Sequence, residues 1–316
     1  MPKEFEFINK IRNQFDLTKI GDDCAVLPKN KTHDLLITAD LLVEDVDFRR
    51  SWMIPEFLGH KALAVSLSDI AAMGGNPLYS MLSIGIPNDI WQTNFIDEFY
   101  QGYHKLAQQF GVELIGGDVS KTPDKIVIDS IVLGEVKRGK AILRSGAKVG
   151  DLIFVTGELG GASAGLKLLE EGINFETAKT WQSKLIRRQL SPLPKNSFGL
   201  KLSKFATSMI DISDGISSDL IHICESSKVG AKIYAEKIPI DSNIFGVTKN
   251  FDEQIEFALN GGEDFELLFT VNPKNISKIF SSRFSCIGEI TQDIGNIELI
   301  YQEKSSFLQP KGYQHF

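Results

Sequence analysis

Apolar and polar positions alternate along this chain in two rhythms, one of helices and one of strands. Residues 5–15 repeat at helical spacing and predict a short amphipathic helix. Residues 34–39 form an apolar run that predicts a strand ending at Asp40. Pro55 opens a longer segment to Met73, closed by Gly74-Gly75. Proline near the start and glycine past the end mark a helix. Residues 62–73 are apolar nearly all round, so this helix is expected to be buried. Residues 78–86 predict a strand, and 93–110 a helix. Residues 112–115 predict a strand that stops at Gly116-Gly117-Asp118. Ile and Val alternate over 125–136, the pattern of a half-buried strand.

The pattern changes over 137–150, which is basic and contains glycines. A new strand begins at Asp151. The boundary is placed here, giving domains 1–137 and 138–316. The second half continues with a helix at 161–171, a strand at 208–212, a helix at 216–227 and a strand at 265–271. Strands alternating with helices predict an α/β (α+β) fold. There is no short-period repeat and no low-complexity segment.

Composition narrows the class. A length of 316 residues suits two domains of moderate size. Hydrophobic residues at 42% and charged residues at 24% exclude a disordered or fibrous chain. Acids outnumber bases, 41 to 34, for a net charge of -7, which argues against nucleic acid as a partner. Cys24, Cys224 and Cys286 are far apart and form no Cys-x-x-Cys pair, so neither a disulfide framework nor a thiolate zinc site is indicated. The N-terminus carries acids where a signal peptide would be apolar. No run of about 18 apolar residues predicts a membrane span. These features predict a soluble cytoplasmic protein without a membrane partner.

The acids are not evenly scattered. Six segments place them beside glycine or at strand ends: Gly21-Asp22-Asp23, Thr38-Ala39-Asp40, Ser68-Asp69, Gly116-Gly117-Asp118, Asp211-Ile212-Ser213-Asp214-Gly215 and Gly261-Gly262-Glu263-Asp264. Singly, each reads as a turn or a helix cap. Asp69 resists that reading, because it lies in the apolar helix with no Lys or Arg between Lys61 and Pro77. A buried carboxylate needs a partner or a metal. A bound cation, a distant Arg or a hydrogen-bonded neutral acid would each satisfy it. Convergent aspartates suit Mg²⁺ and a polyphosphate, and the flanking glycines admit close backbone approach to an anion. No Walker motif and no Gly-x-Gly-x-x-Gly fingerprint is present. The glycine-rich stretch from Gly157 to Gly165 either offers a helix N-terminus to a phosphate or permits close helix–strand packing. Arg144 is either an ordinary surface arginine or a bidentate phosphate ligand. The five histidines show no metal-ligand spacing.

Taken in order, the motifs resemble those of one family. They are Gly21-Asp-Asp-Cys-Ala25, Lys61-Ala-Leu-Ala-Val65 running into Leu67-Ser-Asp-Ile-Ala-Ala-Met-Gly74, Leu114-Ile-Gly-Gly-Asp118 and Arg144-Ser-Gly-Ala-Lys148. They continue with Asp211-Ile-Ser-Asp-Gly215, Gly261-Gly-Glu-Asp-Phe-Glu-Leu267 and Gly312-Tyr313. Over nearly the whole chain this resembles the thiamine-monophosphate kinase family of the aminoimidazole-ribonucleotide-synthetase-like superfamily. The resemblance implies direct transfer of the ATP γ-phosphoryl group to thiamine monophosphate, with several Mg²⁺ ions. It implies a homodimer joined through mixed N-terminal sheets, with ATP held mainly by the N-terminal domain.

Carried over by motif, Asp23, Asp40, Asp69, Asp118, Asp211 and Asp214 would ligate Mg²⁺, with oxygens added by Thr38 and Ala39. Gly117, Asp118, Arg144 and Ser213 would contact ATP, and Tyr100 would lie against the nucleotide. Asp118, Arg144 and Asp211 would carry the transfer itself. Glu263 and Tyr313 would contact thiamine, with Asp47 at the same end. Two positions depart from the family pattern: Ala39 stands where a hydroxyl residue is usual, and Asp47 where many members have His. The acceptor phosphate has a second pKa of about 6, so no general base is required. Other readings are a different ATP-dependent activity of the superfamily and a non-catalytic nucleotide-binding regulator.

Overall fold

A computed structural model describes residues 4–279 and 284–313. Helix α1 (Glu4–Gln14) precedes strands β1 (Ala25–Pro28) and β2 (His33–Val43). Helix α2 (Pro55–Ala72), strand β3 (Asn76–Ile86), short α3 (Asn88–Trp91), helix α4 (Phe95–Phe110), β4 (Glu113–Lys121) and β5 (Val127–Lys137) complete the first half. The five strands form one sheet in the order β1-β2-β5-β3-β4. Only the β3–β4 pair is parallel, so the sheet is mixed.

The second half runs β6 (Leu152–Thr156), α5 (Gly161–Glu170), α6 (Thr180–Leu190), α7 (Asn196–Leu202), β7 (Ala206–Asp211), α8 (Ile216–Ser227) and β8 (Gly230–Tyr234). It continues with α9 (Phe251–Asn260), β9 (Leu267–Val271), α10 (Ile276–Ile279), β10 (Phe284–Thr291), β11 (Ile297–Tyr301) and β12 (Lys304–Phe307). Seven strands make a second sheet in the order β12-β11-β8-β10-β6-β9-β7. Strands up to Lys137 lie in the first sheet and strands from Leu152 in the second. Among the described residues no helix is long and apolar enough to cross a membrane.

Helix α2 explains how the halves meet. Pro55 occupies its first turn, and Gly74 closes it with φ of 66°. One face packs with Leu36, Leu82, Ile84 and Val132 in the first core. Its last turn, Ala71 and Ala72, instead joins Ile142, Leu202, Met209 and Phe269 of the second half. A helix buried on every side is what its all-round apolar sequence demands.

Two strands run further than their sequence suggests. Strand β2 continues past Asp40 to Val43, because all eleven of its residues find partners on β5. Strand β4 passes through Gly116-Gly117-Asp118 instead of stopping there. Gly117 has φ of 151°, and a Cβ there would lie 1.8 Å from the Leu82 carbonyl oxygen. Only glycine lets the edge strand press so closely on β3.

The first sheet buries one face and leaves the other open. Leu36, Thr38, Leu42, Ile128, Ser130 and Val132 point under α2 and α4. The opposite face aligns Ile37, Leu133 and Tyr79 in one row and Ala39, Ile131 and Met81 in the next. Tyr79 is 41% exposed and Leu41 60%, so this apolar face is uncovered in the single chain.

Candidate active site

From Lys61 to Ala72 every residue of α2 is buried except Asp69. The helix therefore opens at one point, and the opening is a carboxylate. Asp23, from the turn before β1, and Asp211, the last residue of β7, reach the same point. Ligand oxygens of Asp23, Asp69 and Asp211 all lie within 4.8 Å of one another.

Such a group is electrostatically unfavourable on its own. Burial raises the pKa of Asp69 well above the ordinary 3.8, and the charges of Asp40, Asp211 and Asp23 push it further. Burial, then Asp23, lifts Asp211 to about 8. Burial also lifts Asp40, on the covered face of β2, to about 6, with Asp129 and Asp23 adding to the rise. Like charges in a site of low polarity cannot all ionise without a compensating cation.

Hydroxyls hold these carboxylates in place. Ser68 Oγ donates to Asp211 Oδ2 at 2.6 Å, and Ser66 Oγ donates to Asp40 Oδ2 at 2.6 Å. Thr38 donates to Asp69. Ser66 and Ser68 thus serve the site, and sequence reading did not assign them that role. The signal was there, as Ser-x-Ser-Asp inside an apolar helix. Asp219 also escaped notice. It is buried in the first turn of α8 and accepts from Asp214 N at 3.3 Å and Gly215 N at 3.0 Å, holding the loop after β7.

Arg144 is not an ordinary surface arginine, since Asp22 and Asp23 engage it. Its Nε and Nη2 donate to Asp23 Oδ1 at 3.1 and 2.5 Å, and its backbone N donates to Asp22 Oδ1 at 2.7 Å. Burial opposes its charge, but Asp23, followed by Asp211 and Asp22, holds the guanidinium protonated. It is the one cation that reaches the triad among the described ion pairs, and it reaches only Asp23. Oxygen Oδ2 of Asp23 is buried without a hydrogen-bond partner. Three carboxylates so placed, two buried and Asp69 at the opening, fit Mg²⁺, which takes oxygens at about 2.1 Å.

The remaining expected residues are more dispersed. Asp118 and Gly117 lie on exposed β4, outside the triad. Asp214 and Ser213 are half-buried in the loop after β7. Ala39 points to the open face of the sheet, opposite Thr38, so a hydroxyl side chain there would face away from the acids. The departure at Ala39 thus leaves the triad untouched. Tyr100 sits half-buried on α4 with its ring edge-on to Phe99 at 5.5 Å. Asp47 Oδ2 accepts from Val43 N at 2.7 Å, which closes a turn.

Glu263 has a left-handed backbone, with φ of 65°, and its amide donates to Ser213 O at 2.8 Å. Its carboxylate pairs with buried Lys61 at 2.6 Å. Tyr313 is half exposed, and its amide lies 3.4 Å from Asp214 O, which draws the chain end onto the loop after β7.

The glycine turn before α5 is settled by its neighbours. Asp264 accepts from Gly160 N at 2.5 Å and Ala162 N at 3.1 Å, so the helix N-terminus is already occupied by an internal carboxylate. A Cβ at Gly165 would lie 2.2 Å from Leu185 O. These glycines serve close packing, not phosphate binding.

The chain matches the family models for AIR synthase related protein, the N-terminal domain over residues 21–136 and the C-terminal domain over 148–298. It is 40% identical to the thiamine-monophosphate kinase of Buchnera aphidicola subsp. Acyrthosiphon pisum, covering 99% of this chain and 98% of the relative. It is 37% identical to the thiamine-monophosphate kinase of Bacillus subtilis, covering 94% and 93%. A solved structure described as AaThiL complexed with AMPPCP and TMP superposes with a TM-score of 0.89 at 34% identity, covering 99% of this chain and 97% of that one.

Proposed function

The chain belongs to the AIR synthase related family, in its thiamine-monophosphate kinase branch, and we propose that it transfers the γ-phosphoryl group of ATP to thiamine monophosphate, giving thiamine diphosphate and ADP. The observation that carries this reading is the close group Asp23, Asp69 and Asp211, whose charges demand a cation. Those three residues would hold one Mg²⁺, and Asp40, Asp118 and Asp214, with oxygens at Thr38 and Ala39, would serve further ions. When bound, Mg²⁺ supplies the positive charge that offsets repulsion between the two phosphate groups.

Transfer is in line, and the protein's part is positioning and charge. Ser66 and Ser68 fix the carboxylates of Asp40 and Asp211. Arg144, held charged and with 15% of its side chain exposed, stands at the edge of the triad to meet ATP phosphates. Gly117 and Asp118 on β4, with Tyr100 and Ser213, complete the nucleotide side. Glu263 and Tyr313 take the thiamine side. The attacking phosphate oxygen is ionised near neutral pH, so no side chain need remove a proton from it.

The active form is a homodimer joined through the open face of the first sheet. Ile37, Tyr79, Met81, Ile131 and Leu133 on that face are an apolar area that a soluble chain covers. A coupled assay tests the activity. Purified protein with ATP and Mg²⁺ releases ADP in the presence of thiamine monophosphate but not of thiamine. ADP release that requires some other acceptor would overturn the substrate assignment.

A further inference from the structure

Lys61 is a lysine in an otherwise apolar stretch of α2, and it is 1% exposed. A buried ammonium has to be paired and hydrogen-bonded. Its Nζ meets Glu263 Oε1 at 2.6 Å and the Asp47 carbonyl oxygen at 3.4 Å. One charge on α2 therefore ties the turn after β2 to the Gly-Gly-Glu-Asp loop before β9. The family resemblance puts Asp47 and Glu263 at the same end of the site, and Lys61 brings them to one point.

Glu263 is held from three sides. Gln189 Nε2 on α6 donates to its other carboxylate oxygen, and its own amide donates to Ser213 O at 2.8 Å. Its backbone is left-handed, with φ of 65°, and Phe265 follows at 48°. Non-glycine residues in that region are strained, and persist where their surroundings over-determine them. Strain kept at a half-exposed carboxylate between two halves of a protein points to a binding task. Gln189 is itself buried, and its Oε1 has no hydrogen-bond partner, leaving an acceptor beside Glu263.

We infer that Lys61, with Gln189, is a positioning residue for the thiamine subsite. It holds Glu263 in its strained conformation so that the carboxylate presents a fixed acceptor to the N–H groups of the substrate's aminopyrimidine. The inference rests on the thiamine monophosphate reading of this site. The ion pair has a second effect. Lys61 cancels the Glu263 charge, so the acid does not add to the negative field that the approaching phosphates already meet.

The test separates positioning from folding. Lys61→Met, Lys61→Arg and the double variant Lys61→Met/Glu263→Gln are compared with wild type by steady-state kinetics and by calorimetric titration of thiamine monophosphate. Lys61→Met is expected to raise KM and Kd for thiamine monophosphate roughly tenfold or more, the loss expected for one charge-assisted contact. KM for ATP stays within about twofold. Lys61→Arg recovers part of the loss. The double variant leaves no unpaired buried charge, so it folds as wild type does while keeping the raised KM. An unchanged KM for thiamine monophosphate in Lys61→Met, or a parallel rise for both substrates, overturns the positioning role. Wild-type protein that neither binds nor phosphorylates thiamine monophosphate overturns the functional reading, and this inference with it.

Discussion

Ser68 on α2 donates a 2.6 Å hydrogen bond to Asp211 at the end of β7, so one half of the chain orients a carboxylate of the other. The bond favours the ionised form of an acid that burial otherwise pushes up to about 8. Ser68→Ala removes the donor and leaves Asp211 free to turn. Loss of about 1–2 kcal/mol of orientation and charge stabilisation is expected. The readout is the Mg²⁺ concentration for half-maximal activity, which rises by about tenfold at most, with little change in fold. An unaltered Mg²⁺ dependence would show that Asp211 keeps its place unaided.

Asp69→Asn separates stability from activity. The substitution puts a neutral amide where the metal-free fold disfavours an ionised acid, so the metal-free protein melts at or above the wild-type temperature. Turnover falls by about a thousandfold or more, as for other groups that stabilise transferring charge. A variant that keeps near-normal turnover would exclude Asp69 as a metal ligand.

Stability depends on pH with a defined sign. Asp40 and Asp211 titrate at about 6 and about 8 in the metal-free fold, above their ordinary 3.8. In this interval the folded chain holds protons that the unfolded chain has released. Their contribution is therefore fully present below the ordinary value and is lost as pH rises through 6 and then 8. Melting in a chelator is expected to fall between about pH 5 and about pH 8.5, and the gain on adding Mg²⁺ to grow over the same range. An equal Mg²⁺ gain at both ends would contradict the raised acidities.

The open sheet face gives a test of assembly. Met81 and Ile131 are neighbours across β3 and β5 on that face. Met81→Glu places a charge where a second copy would dock, and light scattering is expected to report about half the wild-type mass. A wild-type chain that is already monomeric would remove the basis for the sheet-to-sheet dimer.

Much of this was legible because it is local. The all-round apolar pattern of α2 announced a buried helix, and the misfit of Asp69 within it announced the site. What stayed hidden was pairing over distance. Nothing near Lys61 in sequence names Glu263, about two hundred residues away, as its partner. Asp264 looked like part of an acid cluster, yet it caps α5, because the amides of Gly160 and Ala162 reach it only in the fold. Gly116-Gly117 looked like the end of a strand, because the close approach that requires glycine is made by β3. Edge strands such as β12 are short and polar, and carry little alternation to read.

Helix α2 has a consequence for how the protein is made. Its Ala71 and Ala72 are core residues of the second half, packed against Leu202, Met209 and Phe269. During synthesis this helix leaves the ribosome long before those partners exist. The early half therefore carries bare apolar surface until translation reaches β9, and its packing is completed late. A gene cut at the apparent boundary would yield a first fragment with an uncovered helix end, prone to aggregate. The two halves are separate sheets that share one helix.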